Sequence, residues 1–282
     1  MFLKNLFLNL LPSQCLICGR ILYDKSICSH CLKTLNLETL TPKTLTPKTY
    51  EYRCKGCFKP ILNSIDDYCL NCQLEDMPFR RIRYIWEYKE LESIFIKKMK
   101  YGKSSTLLRL ASSYLIDNYK LFFNDTLHDI VIPAFSSRKS LHDRGFLHTY
   151  FLAKTIYKFI KTKKNDVILV AYNDFPDNYD KRANLSLKAR LKYSKIDVSL
   201  PIKDISQKNI LFVDDMLTTG STAFNLLSEL NKKYTDNSLG IENFDILTLS
   251  VATDFYDNLK ESVKIFYKKN LKNYLKTTDT IT

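Results

Sequence analysis

All eight cysteines of the chain fall in four Cys-x-x-Cys pairs, and none lies beyond residue 72. The pairs are Cys15/Cys18, Cys28/Cys31, Cys54/Cys57 and Cys69/Cys72. Two residues between paired thiolates let a tight turn direct both sulfurs toward one ion, about 2.3 Å away. The spacing therefore favours two structural four-cysteine zinc (Zn²⁺) sites, with redox pairs and a disulfide framework as the alternatives. Because free thiolates persist in reducing compartments, we expect a cytoplasmic protein.

The cysteine region also repeats internally. The segments CLICGRILYDKSICSHC and CKGCFKPILNSIDDYCLNC share a first cysteine pair, an Ile-Leu dipeptide and a second pair. This repeat favours two sequential zinc ribbons, although interleaved sets stay open. The sequential sets are Cys15, Cys18, Cys28 and Cys31, followed by Cys54, Cys57, Cys69 and Cys72. Residues 36–50 contain LTPKTLTPKT, which is typical of an extended linker.

Apolar side chains from Phe2 to Leu11 recur at helical spacing, and Pro12 ends the pattern. They predict a short amphipathic helix packed on the neighbouring domain, with weak membrane-surface contact as the alternative. A signal peptide would need a longer apolar core and a small-residue cleavage site. We therefore expect residues 1–79 to form an N-terminal domain from this helix and a double zinc ribbon.

The composition limits the class of protein. Of 282 residues, 45% are apolar and 26% are charged, as in a globular protein rather than a disordered chain. No apolar run approaches the roughly 18 residues of a membrane span, so we expect no transmembrane segment. The net charge of +13 favours an anionic partner. Nucleic acid, a phosphorylated small molecule and an anionic membrane surface all remain open.

From residue 80 onward, strand-like and helix-like apolar patterns alternate. Strands are predicted at residues 82–88, 129–134, 166–171, 210–213 and 245–252, and helices at residues 91–99, 104–122, 147–160 and 222–234. Short strands separated by helices are typical of an α/β fold with a mainly parallel sheet flanked by helices. We expect residues 80–282 to form this second domain, with ligands beyond the carboxyl ends of its strands.

The segment ILFVDDMLTTGST, residues 210–222, carries most of the functional information. A predicted strand is followed by Asp214 and Asp215, and then by a hydroxyl- and glycine-rich turn that enters a helix. The turn consists of Thr218, Thr219, Gly220, Ser221 and Thr222. Backbone N–H groups, hydroxyls and the positive end of a helix make such a turn a phosphate cradle. Carboxylates beside it fit ribose hydroxyls or a Mg²⁺ ion better than the phosphate itself.

The same thirteen residues closely resemble the phosphoribosyl-diphosphate motif of type I phosphoribosyltransferases. The resemblance implies the type I phosphoribosyltransferase-like fold, with phosphoribosyl diphosphate as ligand and Mg²⁺ bound with it. It implies that Asp214 and Asp215 contact the ribose at the catalytic centre, and that residues 218–222 hold the 5′-phosphate. No residue stands out in the sequence as a general base for the transfer reaction, and Asp215 is a weak candidate.

A double zinc ribbon ahead of such a domain resembles the ComF/GntX family of competence-related proteins. Residues 84–102, 132–146 and 185–190 resemble further family segments. By this resemblance, Arg138, Lys139 and Arg144 would contact pyrophosphate, and the basic loop of about residues 172–195 could close over the site. Family membership implies a role in natural transformation, with single-stranded DNA and DNA-uptake proteins as partners.

Some positions depart from the family pattern. Leu147-His148 stand where Asn-Gln is usual, Phe135 replaces a proline, and Arg182-Ala183 replace Gln-Thr. Binding of a phosphoribosyl compound is therefore better supported than transfer, and a catalytically inactive phosphoribosyl sensor is an alternative. His148 is expected to be partly exposed on its helix, with an approach to the acceptor substrate as the alternative.

A lysine series near the C-terminus supports the other alternative, a single-stranded-DNA-binding protein. The lysines are spaced by four: Lys260, Lys264, Lys268, Lys272 and Lys276. On a helix they would form a slowly drifting basic face that could follow a nucleic-acid backbone. A solvated helix face is the competing interpretation.

Overall fold

The computed structural model describes residues 13–23, 25–35, 52–61, 66–74, 77–102, 104–135, 141–143, 145–170, 200–235, 241 and 243–278, with the backbone alone for 269–278. Several sequence predictions fall outside the described residues. They are the N-terminal helix, the linker 36–50, the three basic residues Arg138, Lys139 and Arg144, and the loop 172–195.

Short strands and helices alternate along the described chain. The strands are β1 (Ser13–Gln14), β2 (Ile21–Leu22), β3 (Arg81–Glu87), β4 (Ile130–Pro133), β5 (Ile168–Leu169), β6 (Asn209–Leu217) and β7 (Asn243–Val251). The helices are α1 (Ser29–Thr34), α2 (Leu70–Leu74), α3 (Glu90–Tyr101), α4 (Ser105–Phe122), α5 (His148–Lys161), α6 (Ser221–Tyr234) and α7 (Phe255–Thr278). Within the described residues, no helix is long and apolar enough to cross a membrane.

Strands β3 to β7 form one sheet in the order β3-β7-β6-β4-β5, and every neighbouring pair is parallel. The predicted α/β class with a parallel sheet is therefore confirmed. Because the strands share one direction, their carboxyl ends meet at one edge, which we call the carboxyl edge. The central strand β6 is longer than predicted. Its pairing with β7 continues through Asp214, opposite Thr248, to Leu217, opposite Val251, so both acidic residues lie within the strand.

Residues 210–213 of β6 alternate between two cores, whereas Leu217 at the end of the strand belongs to the same core as Ile210 and Phe212. Ile210 and Phe212 belong to a core closed by α6 and α7, on what we call the α6 face of the sheet. Leu211 and Val213 belong to a core closed by α3, α4 and α5, on the α5 face. Burial on both faces is expected for a central parallel strand with helices on either side.

The two cysteine units pack on different cores near the outer strand β3. The first lies with the α5-face core, where the indole N–H of Trp86 donates to the carbonyl of Leu35 at 3.1 Å. The second lies with the α6-face core, and the backbone N–H of Ile82 donates to the carbonyl of Gly56 at 2.8 Å. The second unit therefore occupies hydrogen-bonding positions that an edge strand otherwise presents to solvent.

A buried ionic cluster lies near the amino ends of the strands, opposite the carboxyl edge. The carboxylate of Asp245 is fully buried and accepts hydrogen bonds from Arg80 and from Arg81, the latter at 3.2 Å. The Nε2 atom of His128 lies 3.0 Å from the same carboxylate. Burial raises the pKa of Asp245, but these partners outweigh burial and hold it well below its usual range. Arg81 also pairs with Asp125 at 2.9 Å, so two guanidinium groups face two carboxylates, and we assign the cluster a structural role.

Candidate zinc centres and candidate ligand site

The eight cysteines form two compact groups of four. Cys15, Cys18, Cys28 and Cys31 form one group, and Cys54, Cys57, Cys69 and Cys72 form the other. In each group the sulfur atoms all lie within 4.8 Å of one another. The sequential pairing is therefore confirmed, the interleaved alternative is wrong, and each group could hold a zinc ion. His30 is exposed and stands outside these groups.

The sulfur spacing agrees with tetrahedral zinc. Four sulfurs at about 2.3 Å from one ion would lie about 3.8 Å apart. The Sγ–Sγ distances are 3.8 Å for Cys15–Cys31 and 3.7 Å for Cys18–Cys28. In the second group the Cys57–Cys69 distance is 3.6 Å. These three distances agree with tetrahedral zinc in both groups.

The thiols also favour a bound cation on electrostatic grounds. Burial raises the pKa of Cys15, but backbone N–H groups, first that of Cys28, outweigh burial and lower it to about 6. Burial and the side chain of Cys28 raise the pKa of Cys31 well above its usual range. One thiol in this group therefore ionises easily while its neighbour resists. A divalent cation would favour the thiolate form of all four cysteines by offsetting half of their negative charge.

A buried arginine lies against the second cysteine group. Arg83 donates to the carbonyls of Lys55 at 2.7 Å and Gly56 at 3.1 Å, both inside the first knuckle of that group. Burial lowers the pKa of Arg83 to about 10, and the charges of Cys54 and Cys57 act in the opposite direction. Four thiolates with Zn²⁺ carry a net charge of about −2, so the guanidinium would balance part of it.

The predicted ligand motif lies at the carboxyl edge. Strand β6 carries both acidic residues, and the turn of residues 218–220 leads directly into α6, which begins at Ser221. β6 has β4 on one side and β7 on the other, so the turn lies near the middle of the sheet. The sequence-predicted acidic pair and turn are therefore brought to one place. The predicted pyrophosphate residues Arg138, Lys139 and Arg144 lie outside the described residues.

The turn is held in a specific backbone conformation. Gly220 has φ of +69°, in the left-handed region, and a Cβ atom there would lie 3.2 Å from the ring of Phe224. The hydroxyl of Thr219 accepts from the backbone N–H of Ser221 at 3.3 Å. From α7, the buried hydroxyl of Ser262 donates to the carbonyl of Thr219 at 2.9 Å. Glycine and these hydrogen bonds together fix the path of the chain into α6.

Asp214 is half-buried in this setting. Burial raises the pKa of its carboxyl to about 7, although the charge of Lys100 and the backbone N–H of Met216 act in the opposite direction. Its Oδ1 atom accepts a hydrogen bond from the backbone N–H of Asp215 at 2.8 Å. A partly exposed carboxyl that titrates near neutrality is typical of a functional site.

Asp215 is buried, and two basic side chains reach it from neighbouring helices. Its Oδ2 atom forms an ion pair with the Nζ atom of Lys100, in the last turn of α3. The Nε2 atom of His148, the first residue of α5, lies 3.3 Å from the same oxygen. His148 is only 2% exposed, so the expectation of a partly exposed histidine is wrong. The cause is packing, because α5 begins against Asp215.

Sequence reasoning missed two residues that contact this candidate site, Lys100 and Ser262. Lys100 lies in the segment that resembles the ComF/GntX family, and this resemblance was the available signal for it. Ser262 has no such signal, because its importance comes only from the contact with Thr219 across the fold. Comparison with models of known protein families and with curated proteins found no match for this chain.

Proposed function

We propose that this protein binds phosphoribosyl diphosphate together with Mg²⁺ at the carboxyl edge of its sheet. The observation that supports this most directly is the placement of residues 210–222, where a carboxylate-bearing strand turns into the N-terminus of α6. A 5′-phosphate would accept hydrogen bonds from residues 218–222, because hydroxyls, backbone N–H groups and the helix dipole all favour an anion there. The half-buried Asp214 would face the ribose hydroxyls.

The resemblance to ComF/GntX proteins supports a phosphoribosyltransferase-like activity. Transfer breaks the bond between ribose C1′ and pyrophosphate, and positive charge develops on the ring. The site would contribute by positioning the sugar phosphate and by stabilising charge. Mg²⁺, which prefers oxygen donors, would offset the charge of the departing pyrophosphate. Arg138, Lys139 and Arg144 are proposed to add positive charge there.

Zinc has a structural part in this proposal. Two ions held by the cysteine groups would fix both knuckles against the sheet, as zinc ribbons do. Cysteines kept as thiolates imply a reducing environment, so the proposed location is the cytoplasm.

Binding can be tested by calorimetry on zinc-loaded protein with phosphoribosyl diphosphate and Mg²⁺. Wild type should bind, and Asp214→Ala should bind about 10- to 100-fold more weakly, since a charged hydrogen-bond partner is lost. Asp257→Ala removes an exposed carboxylate of α7 and is the matched control, with unchanged affinity. Absence of binding by wild type would overturn the proposal. Pyrophosphate release with a purine, pyrimidine or nucleic-acid acceptor would distinguish an enzyme from a sensor.

A second candidate function is binding of single-stranded DNA in DNA uptake. It is favoured by α7, whose Lys260, Lys264 and Lys268 are all exposed. The helical backbone continues to Thr278 and includes Lys272 and Lys276. Only the backbone is described at these two positions. If this face follows the phosphate backbone, affinity should fall linearly with salt on a logarithmic scale. The triple variant Lys260→Gln/Lys264→Gln/Lys268→Gln should reduce that slope, and an unchanged slope would exclude this face.

A further inference from the structure

Asp214 and Asp215 face different sides of the sheet. Consecutive residues on a β-strand point to opposite faces, and β6 runs through both of them. The apolar residues that directly precede the pair assign the sides. Phe212, two residues before Asp214, belongs to the α6-face core, and Val213, two residues before Asp215, belongs to the α5-face core. The acidic pair is therefore divided between two environments.

The surroundings of Asp215 confirm its side. Lys100 and His148, which contact its Oδ2 atom, come from α3 and α5, the helices that close the α5 face. The Asp215 side chain is 7% exposed, and those of Lys100 and His148 are 21% and 2% exposed. The charge of this buried carboxylate is already balanced by basic groups. Moving the Asp215 side chain away from them to contact a ligand would cost free energy.

The surroundings of Asp214 differ in kind. It shares the α6 face with the helix that follows the hydroxyl-rich turn, and it is half-buried rather than buried. Its own Oδ1 atom is oriented by the backbone N–H of Asp215 at 2.8 Å. The contacts that hold the Asp215 side chain therefore also hold its backbone N–H in place, and this N–H is the donor that orients the Asp214 carboxyl.

We infer that the two acidic residues have separate roles: Asp214 contacts the vicinal hydroxyls of the sugar, and Asp215 is a positioning residue held by Lys100 and His148 on the opposite face of the sheet. The part that concerns the sugar rests on the proposed function. The anchoring of Asp215 by Lys100 and His148 is a property of the ligand-free protein, so it can be tested without any ligand.

The first experiment is a double-mutant cycle on the thermal unfolding of the zinc-loaded, ligand-free protein. Lys100→Met and Asp215→Asn should each lower the melting temperature by about 5–10 °C, because each leaves a buried charge without its partner. The double variant Lys100→Met/Asp215→Asn should lose clearly less than the sum of the two. Lys98→Met changes an exposed lysine on the same helix and should have little effect. Additive losses would overturn the anchoring role of Lys100.

The second experiment measures discrimination between ribose 5-phosphate and 2-deoxyribose 5-phosphate by calorimetry. Wild type should prefer ribose by about 10- to 100-fold, the effect of one hydrogen bond to a charged group. Asp214→Asn should lose most of this preference. Lys100→Met/Asp215→Asn should bind both ligands more weakly yet keep the preference, which a direct ribose contact at Asp215 would not allow. Lys100→Met, which retains both carboxylates, should also keep it.

The outcomes separate the two proposals. If wild type binds neither sugar phosphate nor phosphoribosyl diphosphate, the proposed function fails and the role given to Asp214 fails with it, whatever the unfolding cycle shows. If wild type binds and prefers ribose, but the variants lacking the Asp215 carboxylate lose that preference, the proposed function stands and the division of roles is wrong.

Discussion

Gly19 and Phe58 occupy the same position in the two cysteine knuckles, and both adopt a left-handed backbone, with φ of 77° and 66°. The backbone N–H of each donates to the carbonyl of the first cysteine of its knuckle, at 2.9 Å to Cys15 and 3.0 Å to Cys54. Glycine adopts this conformation without strain, whereas phenylalanine does not. The internal repeat of the sequence is therefore also a repeat of the backbone structure. In the second copy the left-handed position is occupied by Phe58, which is strained there.

Packing of the Phe58 ring explains why the strain is tolerated. The ring lies edge-on to Tyr84 and Phe122, at centroid distances of 5.3 and 4.9 Å. The guanidinium carbons of Arg53 and Arg83 lie 5.0 and 5.1 Å from its centroid. Contacts of this kind each contribute on the order of 1 kcal/mol. Phe58 thus joins the second knuckle to β3.

Substitutions at this pair of positions should have unequal effects. Phe58→Gly removes about 1 kcal/mol of backbone strain but loses about 3–5 kcal/mol of aromatic packing, so we expect a net loss of about 2–4 kcal/mol. Gly19→Ala should cost only about 1 kcal/mol, since its Cβ would meet no atom within 4 Å. Urea unfolding of the zinc-loaded variants measures both, and a gain in stability for Phe58→Gly would contradict the packing argument.

The number of bound zinc ions should equal the number of intact four-cysteine groups. Metal analysis of purified protein should give two zinc ions per chain, and either Cys18→Ser or Cys54→Ser should remove one. Cys54 is buried in the α6-face core, whereas Cys18 is exposed. Cys54→Ser should therefore lower the melting temperature more, by about 10 °C or more. His30→Ala is the control and should keep both ions; loss of zinc in that variant would show that the ligand set is incomplete.

Gly220→Ala should distort the turn before α6. Alanine at φ of +69° is strained, and its Cβ would lie 3.2 Å from the Phe224 ring. We expect a loss of about 1–3 kcal/mol in the free energy of unfolding and weaker sugar-phosphate binding. Gly220→Ala/Phe224→Leu relieves the contact but leaves the strain, and should therefore recover only part of the loss. Full recovery in urea unfolding would show that the backbone conformation contributes nothing.

The carboxyl of Asp214 should make stability fall between mildly acidic and mildly alkaline pH. Its folded pKa, about 7, is above the ordinary value of 3.8. Its contribution to stability is therefore fully present below pH 3.8 and is lost as pH rises through 7. Between pH 5 and pH 8, wild type should lose on the order of 2 kcal/mol relative to Asp214→Asn, and partial solvent contact keeps the effect from being larger. Parallel stability curves for the two proteins would contradict the raised pKa.

Local sequence patterns predicted much of the fold. The spacing of the cysteines and their repeat predicted both four-cysteine groups, because two-residue knuckles and a repeated unit are local features. Apolar periodicity predicted the parallel strands for the same reason. It failed at the end of β6, since Asp214 and Asp215 are polar, and only their pairing opposite β7 extends the strand to Leu217.

The environment of Asp215 could not be predicted in the same way. Lys100 and His148 are distant from it in sequence and meet it only because α3 and α5 close the same face of the sheet. A single histidine at the start of an amphipathic helix carries no information about which residue of another element it will contact. The two aspartates also look equivalent in sequence, and only the alternation of β6 separates them.

The hydrogen bond from Ser262 to Thr219 has a consequence for synthesis on the ribosome. The donor lies 43 residues after the acceptor, in a helix that leaves the ribosome after β7. Strand β7 itself must be inserted between β6 and the much earlier β3. A nascent chain that ends before β7 therefore lacks both the sheet neighbour and the hydroxyl that hold the turn, and one that ends before α7 still lacks the hydroxyl. The turn proposed to bind the 5′-phosphate is therefore among the last parts of the fold to be completed.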